Sequence, residues 1–352
     1  MVRLGLVGCG VIGRVHLQAS RQIAEAQFVA VCDTRLEAAQ EAALQNSISS
    51  VYTDPAALFA DPNVDAVVLA LPANVRTALG VQALQSGKHL LTEKPVAMNA
   101  EEVRQLIAAR DRAPVPLVAA CTSSRMRFLP SAQVIADFVA SGALGELRVV
   151  RCRAVIVAGE PPTQPPPAWR LSRSLNGGGI LMNWGCYDFD YLFGITGWHI
   201  RPRRVLARMW TNVPAYAAYA APDSDAETHV AFFAECDDGI ALTYERGEFM
   251  PTATDEIWQL IGTRGALRMS MKPATGKQVW FDRVSPHGTI SEPIWQGDEG
   301  WEVAHRGPLA DFVAAIRDRH APATTLEKAL LIQALTDAVY QSAQTGTCVN
   351  LD

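Results

Sequence analysis

Gly8, Gly10 and Gly13 have Gly-x-Gly-x-x-Gly spacing, directly after the apolar run Arg3 to Val7 and directly before Arg14 to Ala26, whose apolar residues recur at helical intervals. A strand that turns through three glycines into a helix can cradle a pyrophosphate. Gly8 permits the tight turn, Gly10 lets backbone approach the phosphates, and Gly13 lets helix and strand pack closely, while the first helical N–H groups face the anion. Val11 and Ile12 complete the candidate turn. The strand Phe28 to Cys32 ends at Asp33, 20 residues beyond Gly13, where a dinucleotide fold expects an acid for the ribose hydroxyls. That charge repels a ribose 2′-phosphate and favours NAD, whereas Arg35 offers a partner for such a phosphate and keeps NADP open. An ordinary glycine loop and a capping aspartate are the competing readings. The flanking strand and helix weigh against both.

Lys94 is the second chemical signal. It follows His89 to Thr92, a short apolar strand, and open α/β sheets bind ligands beyond the carboxyl ends of their strands. A cation there can hydrogen-bond a hydroxyl or carbonyl being converted, and can lower the pKa of a neighbouring acid or base. Leu71, Pro72 and Glu93, at or just past strand ends, join the cofactor-facing candidates with Lys94. A solvated surface lysine is the competing reading.

Strands and helices alternate to position these groups. Ala66 to Leu71 reads as a buried strand, Val75 to Gln85 as a helix ended by Gly87, Glu101 to Arg112 as an amphipathic helix capped by Asn99, and Pro116 to Ala120 as a last strand. This alternation predicts a doubly wound parallel sheet, a Rossmann domain over residues 1–122. After the junction Ser123 to Pro130 and a helix from Ala132 to Ala140, strands follow one another at Leu147 to Val157, Thr228 to Ala234, Ile240 to Arg246, Glu256 to Gly262 and Ala266 to Met271. Residues 123–352 are therefore expected to form a second α/β domain on a largely antiparallel open sheet, closed by a helix from Leu326 to Ala343. Pro161 to Pro167 reads as a rim loop leading to Trp169.

Composition narrows the class. The 352 residues suit two domains, and 31 Lys and Arg against 36 Asp and Glu give a net charge of -5 with no basic stripe, which argues against nucleic acid. Seven scattered cysteines without a CxxC pair suggest reduced thiols in a cytoplasmic protein. No apolar run is long enough for a membrane span, and no His or Cys cluster has metal-ligand spacing.

Taken in order, the glycine turn, Gly87-Lys88-His89 before Glu93-Lys94-Pro95, Arg127-Phe128-Leu129-Pro130, Trp169-Arg170, Gly177-Gly178-Gly179 and Ala338-Val339-Tyr340-Gln341-Ser342 resemble the glucose-fructose oxidoreductase and inositol dehydrogenase family, Gfo/Idh/MocA, over nearly the whole chain. The resemblance implies a Rossmann domain, a C-terminal domain whose sheet serves homodimer or homotetramer formation, and a substrate pocket between the two. It also implies Lys94 as a catalytic residue. Many members carry Asp and, four residues later, His after the glycines; here Asn183 and Tyr187 stand there. Asn183 cannot ionise and can only orient hydroxyls. Tyr187 can move a proton if a cation such as Lys94 lowers its pKa from about 10; a packing tyrosine is the competing reading. Some branches, glucose-fructose oxidoreductase among them, use tyrosine at that place.

Arg127, Trp169, Arg170, Asn183 and Tyr187 form the substrate-facing set. Gly177 to Gly179 is expected to allow close backbone approach to nicotinamide or substrate, and Asp190 either to orient a site residue or to cap structure. Arg76, where relatives carry His, is left between a pocket residue and a surface one. The resemblance implies metal-free hydride exchange between NAD or NADP and a secondary alcohol of a sugar, sugar derivative or cyclitol, a small molecule. Two alternatives stay open: epimerisation or eliminative glycoside cleavage through transient oxidation, and a non-catalytic dinucleotide-binding regulator.

Overall fold

A computed structural model describes residues 1–351 except 165, 212 and 213, and without side chains at 214–216; Pro165 of the proline-rich loop and the final residue of the second-domain expectation lie outside the described residues. Internal packing separates two compact units, Met1–Arg125 with Trp301–Gln333, and Met126–Gly300 with the residues from Ala334 on.

In the first unit β1 (Val2–Val7), α1 (Val11–Ser20), β2 (Ala26–Cys32), α2 (Leu36–Asn46), β3 (Ser50–Tyr52), α3 (Pro55–Ala60), β4 (Ala66–Leu69), α4 (Ala73–Gln85), β5 (His89–Thr92), α5 (Ala100–Asp111) and β6 (Ala119–Cys121) alternate along the chain. The strands pair in parallel in the order β3-β2-β1-β4-β5-β6, the doubly wound arrangement expected. Strand order reverses at β1 and β4, and the loops past their carboxyl ends border the crevice where such sheets take ligands. β4 is apolar at every position and β5 at its two central ones, because both faces of the sheet are covered. Asp54 caps α3 by accepting from the Ala56 N–H, and Asn99 caps α5 by accepting from the Glu102 N–H, as the sequence suggested for the latter.

Sequence order assigned 301–333 to the second domain, but these residues pack with the first unit. Leu309, Phe312 and Val313 of α9 (Trp301–Asp318) enter the apolar layer of α1 and α2 on one face of the sheet. Leu326 and Ala329, at the start of a later helix, enter the opposite layer with Leu84, Val103 and Leu106. The intervening chain lies along the free edge of β6, where the Cys121 N–H donates to the Thr324 carbonyl. An exposed sheet edge is thereby capped.

The second unit contains α6 (Pro130–Ala140), β7 (Leu147–Val157), a short helix α7 (Arg173–Asn176), a π-turn at Leu181–Gly185, α8 (Cys186–Ile195), β8 (Pro202–Trp210), β9 (His229–Cys236), β10 (Ala241–Met250), β11 (Asp255–Gly262), β12 (Gly265–Met269), β13 (Lys277–Ser285), β14 (Gly288–Gly297), the latter part of α10 (Leu326–Thr345) and β15 (Val349–Asn350). Nine strands order as β14-β13-β12-β11-β7-β10-β9-β8-β15. All neighbours are antiparallel except β7 and β10, which run parallel. β8, β13 and β14 were not read from the sequence. Pro202 opens β8 and Pro293 interrupts β14, and none of the three keeps a strict apolar/polar alternation, so a period-two reading misses them.

The buried α8 is tied to the sheet by charge. Asp188, with no exposure, accepts from Arg246 Nε and Nη2 at 2.6 and 2.7 Å and from the Tyr244 hydroxyl at 2.8 Å. Gly178 and Gly179 explain the glycine run locally: a Cβ on Gly178 would overlap the Tyr340 hydroxyl, and one on Gly179 the Glu227 carbonyl oxygen. Glu227 accepts from the Gly179 and Leu181 N–H groups at 3.1 Å and from the Tyr340 hydroxyl at 2.7 Å. The close approach of this glycine run is therefore to Glu227 and Tyr340.

Candidate functional site

The turn after β1 is built from steric necessity. Gly8 has φ of 100°, and a Cβ there would overlap the Ala70 carbonyl; a Cβ on Gly13 would overlap the Gly8 carbonyl. Gly10 differs. Nothing lies within 4 Å of where its Cβ would stand, and it precedes α1 without a side-chain cap. Val11 is 86% exposed beside it. Open space over uncapped N–H groups fits a pyrophosphate.

Asp33 closes the same corner. Its Oδ2 accepts from the Cys9 N–H at 2.9 Å and its Oδ1 from the Arg35 N–H at 3.0 Å, so the acid is pinned against the glycine turn. The Arg35 guanidinium reaches Oδ1 at 3.7 Å with most of its surface in solvent. Half-buried Leu71 and exposed Pro72 follow β4, with Leu71 Cδ2 next to Gly8. Glycine turn, acid and β4 end thus lie together, and they fit NAD: backbone donors for phosphates, carboxylate for ribose.

Lys94 is half-buried immediately past β5. Its N–H donates to Glu93 Oε2 at 3.1 Å and to Thr122 Oγ1 at 3.2 Å. Glu93 itself is buried. Its Oε1 meets Arg125 Nη2 at 3.0 Å and His16 Nε2, on α1, at 2.9 Å. Burial alone would raise the Glu93 carboxyl, but Arg125 and then His16 hold it well below the usual carboxylate range. Arg76 is buried, not on the surface, and donates to the Glu93 carbonyl. The sequence proposed Glu93 and left Arg76 open as a pocket residue, but it gave no sign of His16 or Arg125, because these partners converge from α1 and from the turn after β6.

In the second unit Asn183 lies in the π-turn and Tyr187 on α8, 4% exposed, with its ring 5.7 Å from that of Trp184. Arg127 Nε donates to Asp190 Oδ1 at 2.6 Å, and its guanidinium lies over Trp198 at 5.4 Å; Asp190 therefore orients Arg127. Arg170 donates to Glu248, and Trp169 is 42% exposed.

A glycine turn on a doubly wound sheet, joined in sequence to a mixed-sheet unit, defines a two-unit protein with a Rossmann nucleotide-binding unit. The chain belongs to the Gfo/Idh/MocA family: residues 2–120 match its oxidoreductase model with an NAD-binding Rossmann fold, and residues 132–268 match its C-terminal domain model. Myo-inositol 2-dehydrogenase of Thermotoga maritima is 30% identical over 56% of this chain and 55% of that protein. The chain spans about half the length of the first curated relatives it matches. D-glucoside 3-dehydrogenase of Escherichia coli is 26% identical over 99% of this chain and 97% of its own. Among solved structures, levoglucosan dehydrogenase in complex with NADH shares the fold with a TM-score of 0.85 at 18% identity, covering 100% of this chain and 99% of that one. No helix among the described residues is long and apolar enough to cross a membrane.

The cluster around Glu93 yields a pH signature. Burial first, then the Arg125 charge, push the His305 imidazole down to about 4, from an ordinary value of about 6.5. Between those values the unfolded chain binds more protons than the folded one, so this histidine lowers stability as pH falls through that window and has no such effect above it. Thermal denaturation from pH 7.5 to 4.5 should show a smaller loss of Tm for His305→Gln than for wild type. Parallel curves would contradict the assignment.

Proposed function

We propose that this chain catalyses reversible NAD-dependent oxidation of a secondary alcohol on a sugar, sugar derivative or cyclitol. The observation that carries the reading is the dinucleotide cradle with Lys94 fixed at the neighbouring strand end by Glu93 and Thr122. The relatives named as inositol and glucoside dehydrogenases support the substrate class. NAD, when bound, supplies the hydride acceptor.

Each remaining role falls to a side chain of this chain. Lys94 donates a hydrogen bond to the oxygen being converted and stabilises the charge that grows there on deprotonation. Tyr187, acting as the phenolate that the Lys94 ammonium favours, takes the hydroxyl proton and becomes the phenol, and the Asn183 amide orients neighbouring hydroxyls. Trp169 and Arg170 face substrate, and Arg127, held by Asp190, steadies α8 beside Tyr187. Asp33 holds the ribose hydroxyls and disfavours a 2′-phosphate, which supports NAD over NADP.

The protein works as a homo-oligomer through its large sheet, with a second copy as partner. Leu206, Trp210 and Phe233 are 49%, 48% and 46% exposed on β8 and β9, where Leu206 pairs directly with Phe233, and an apolar strip of this kind marks an interaction surface. Six of the seven cysteines are buried free thiols, which supports a reducing, cytoplasmic setting.

Two measurements check these readings. In a screen of polyols and sugars with NAD and NADP, wild type should turn over at least one substrate with NAD. Lys94→Ala and Tyr187→Phe should each lower kcat by about 10²- to 10⁴-fold while still binding NADH. Tight dinucleotide binding without turnover on any substrate would instead favour a regulator. Light scattering should give a dimer or tetramer for wild type and a smaller species for Phe233→Lys; a monomeric wild type would refute the assembly.

A further inference from the structure

The second unit contains a cleft of about 420 Å³ lined by Arg170, Trp184, Arg246, Glu248, Phe249 and Lys272, among others. All three cations are already held by acids. Arg246 pairs with Asp188, Lys272 Nζ lies 2.7 Å from Glu256, and Arg170 donates to Glu248 Oε2. Arg246 and Lys272 also lie against the Trp184 ring, at 4.9 and 5.9 Å from its centroid. One polar atom stands apart. Glu248 Oε1 is buried and has no hydrogen-bond partner among the described residues, in a side chain only 9% exposed. A buried acceptor without a donor is costly unless a ligand supplies one.

The backbone is built to hold that atom in place. The pairing of β10 with β7 is irregular between Gly247 and Met250, and Phe249 has φ of 57°, a left-handed conformation rare for a bulky residue. Such interruptions re-aim side chains and gather at ligand sites. The Phe249 ring meets the Arg170 guanidinium at 5.6 Å and the Tyr219 ring at 5.3 Å. The bulge therefore supports the arginine that fixes Glu248 Oε2, and that leaves Oε1 for the cleft.

Charge selects the ligand. An anionic group would find Arg170, Arg246 and Lys272 each already paired with an acid and the Glu248 carboxylate, with Glu160 also on the lining, repelling it. A neutral hydroxyl donates what Oε1 lacks. Burial pushes the Glu248 carboxyl above its ordinary value while Arg170 and Arg246 pull it back, so a hydroxyl donor also relieves a poorly solvated charge.

We infer that Glu248 is a specificity-determining acceptor that makes this cleft take a neutral polyhydroxylated ring and turn away phosphorylated or carboxylated forms of it. This rests on the sugar or cyclitol chemistry proposed above and adds a residue to it. In Glu248→Gln, Arg170 keeps the amide oxygen toward itself and turns the NH₂ outward, so the acceptor becomes a donor. Glu248→Asp keeps the charge but withdraws it from the cleft.

The test is calorimetric titration of the full chain, saturated with NADH, with myo-inositol, D-glucose, levoglucosan, glucose 6-phosphate and gluconate. Wild type should bind at least one neutral polyol and bind the phosphate and the acid more than about 10-fold more weakly. Glu248→Gln should weaken the polyol by about 10- to 100-fold at unchanged NADH affinity and Tm. Glu248→Asp should weaken it too, and decides the matter if the glutamine variant does not fold. No polyol binding to wild type, equal binding of glucose 6-phosphate, or unchanged affinity in the variants would overturn the inference. If polyols are oxidised with an unchanged KM in Glu248→Gln, this inference fails and the proposed function stands. If Glu248-dependent binding occurs without turnover, the reverse holds.

Discussion

A carboxylate sealed from water stays ionised only if partners surround it, and Glu93 is such a group at the joint of the first unit. Arg125 and His16 meet one of its oxygens, the Lys94 N–H meets the other, and Arg76 holds its carbonyl. Removing one partner from a buried charge of this kind costs about 3–5 kcal/mol, far more than a surface pair is worth. The constraint has a geometric result. His16 belongs to α1, the helix that starts at the glycine turn, while Lys94 lies just past β5; one carboxylate therefore ties the helix of the phosphate cradle to the backbone that carries Lys94.

The second unit uses the same device twice. Asp188 binds Arg246 and Tyr244 and so locks α8 to β10, and Glu227 gathers the Gly179 and Leu181 N–H groups with the Tyr340 hydroxyl. Both acids are satisfied, so they give rigidity without spare binding capacity. Glu248 breaks the pattern, since one of its oxygens has no hydrogen-bond partner among the described residues, on an irregular strand. Sites that bind ligands are where local rules of polar satisfaction are expected to fail.

The glycine turn was legible in the sequence because much of its constraint is local: Gly8 has φ of 100° and a Cβ on Gly13 would overlap the Gly8 carbonyl, while Asp33 and Glu93-Lys94-Pro95 were picked out by their places past strand ends. Alternation of strand and helix likewise revealed the parallel sheet. What escaped was set by contacts distant along the chain. Nothing near Trp301 signals that α9 returns to cover α1, and Pro308 inside that helix argues against it locally. Gly177 to Gly179 invited a ligand-facing reading, yet two of these glycines are required by Glu227 and Tyr340, the latter 161 positions beyond Gly179. For Arg76 the sequence left a pocket place and a surface one both open, since a buried arginine is identified only by the carbonyl it serves.

The account rests on a dinucleotide lying over the open space at Gly10. Gly10 has φ of -72°, which any residue adopts, and a Cβ there finds open space within 4 Å, so Gly10→Glu should leave the fold intact while placing bulk and negative charge where the pyrophosphate belongs. Titration calorimetry with NADH is expected to give one site per chain for wild type and no measurable heat of binding for Gly10→Glu, at equal melting temperatures. NADH binding of the same affinity to both proteins would contradict the account.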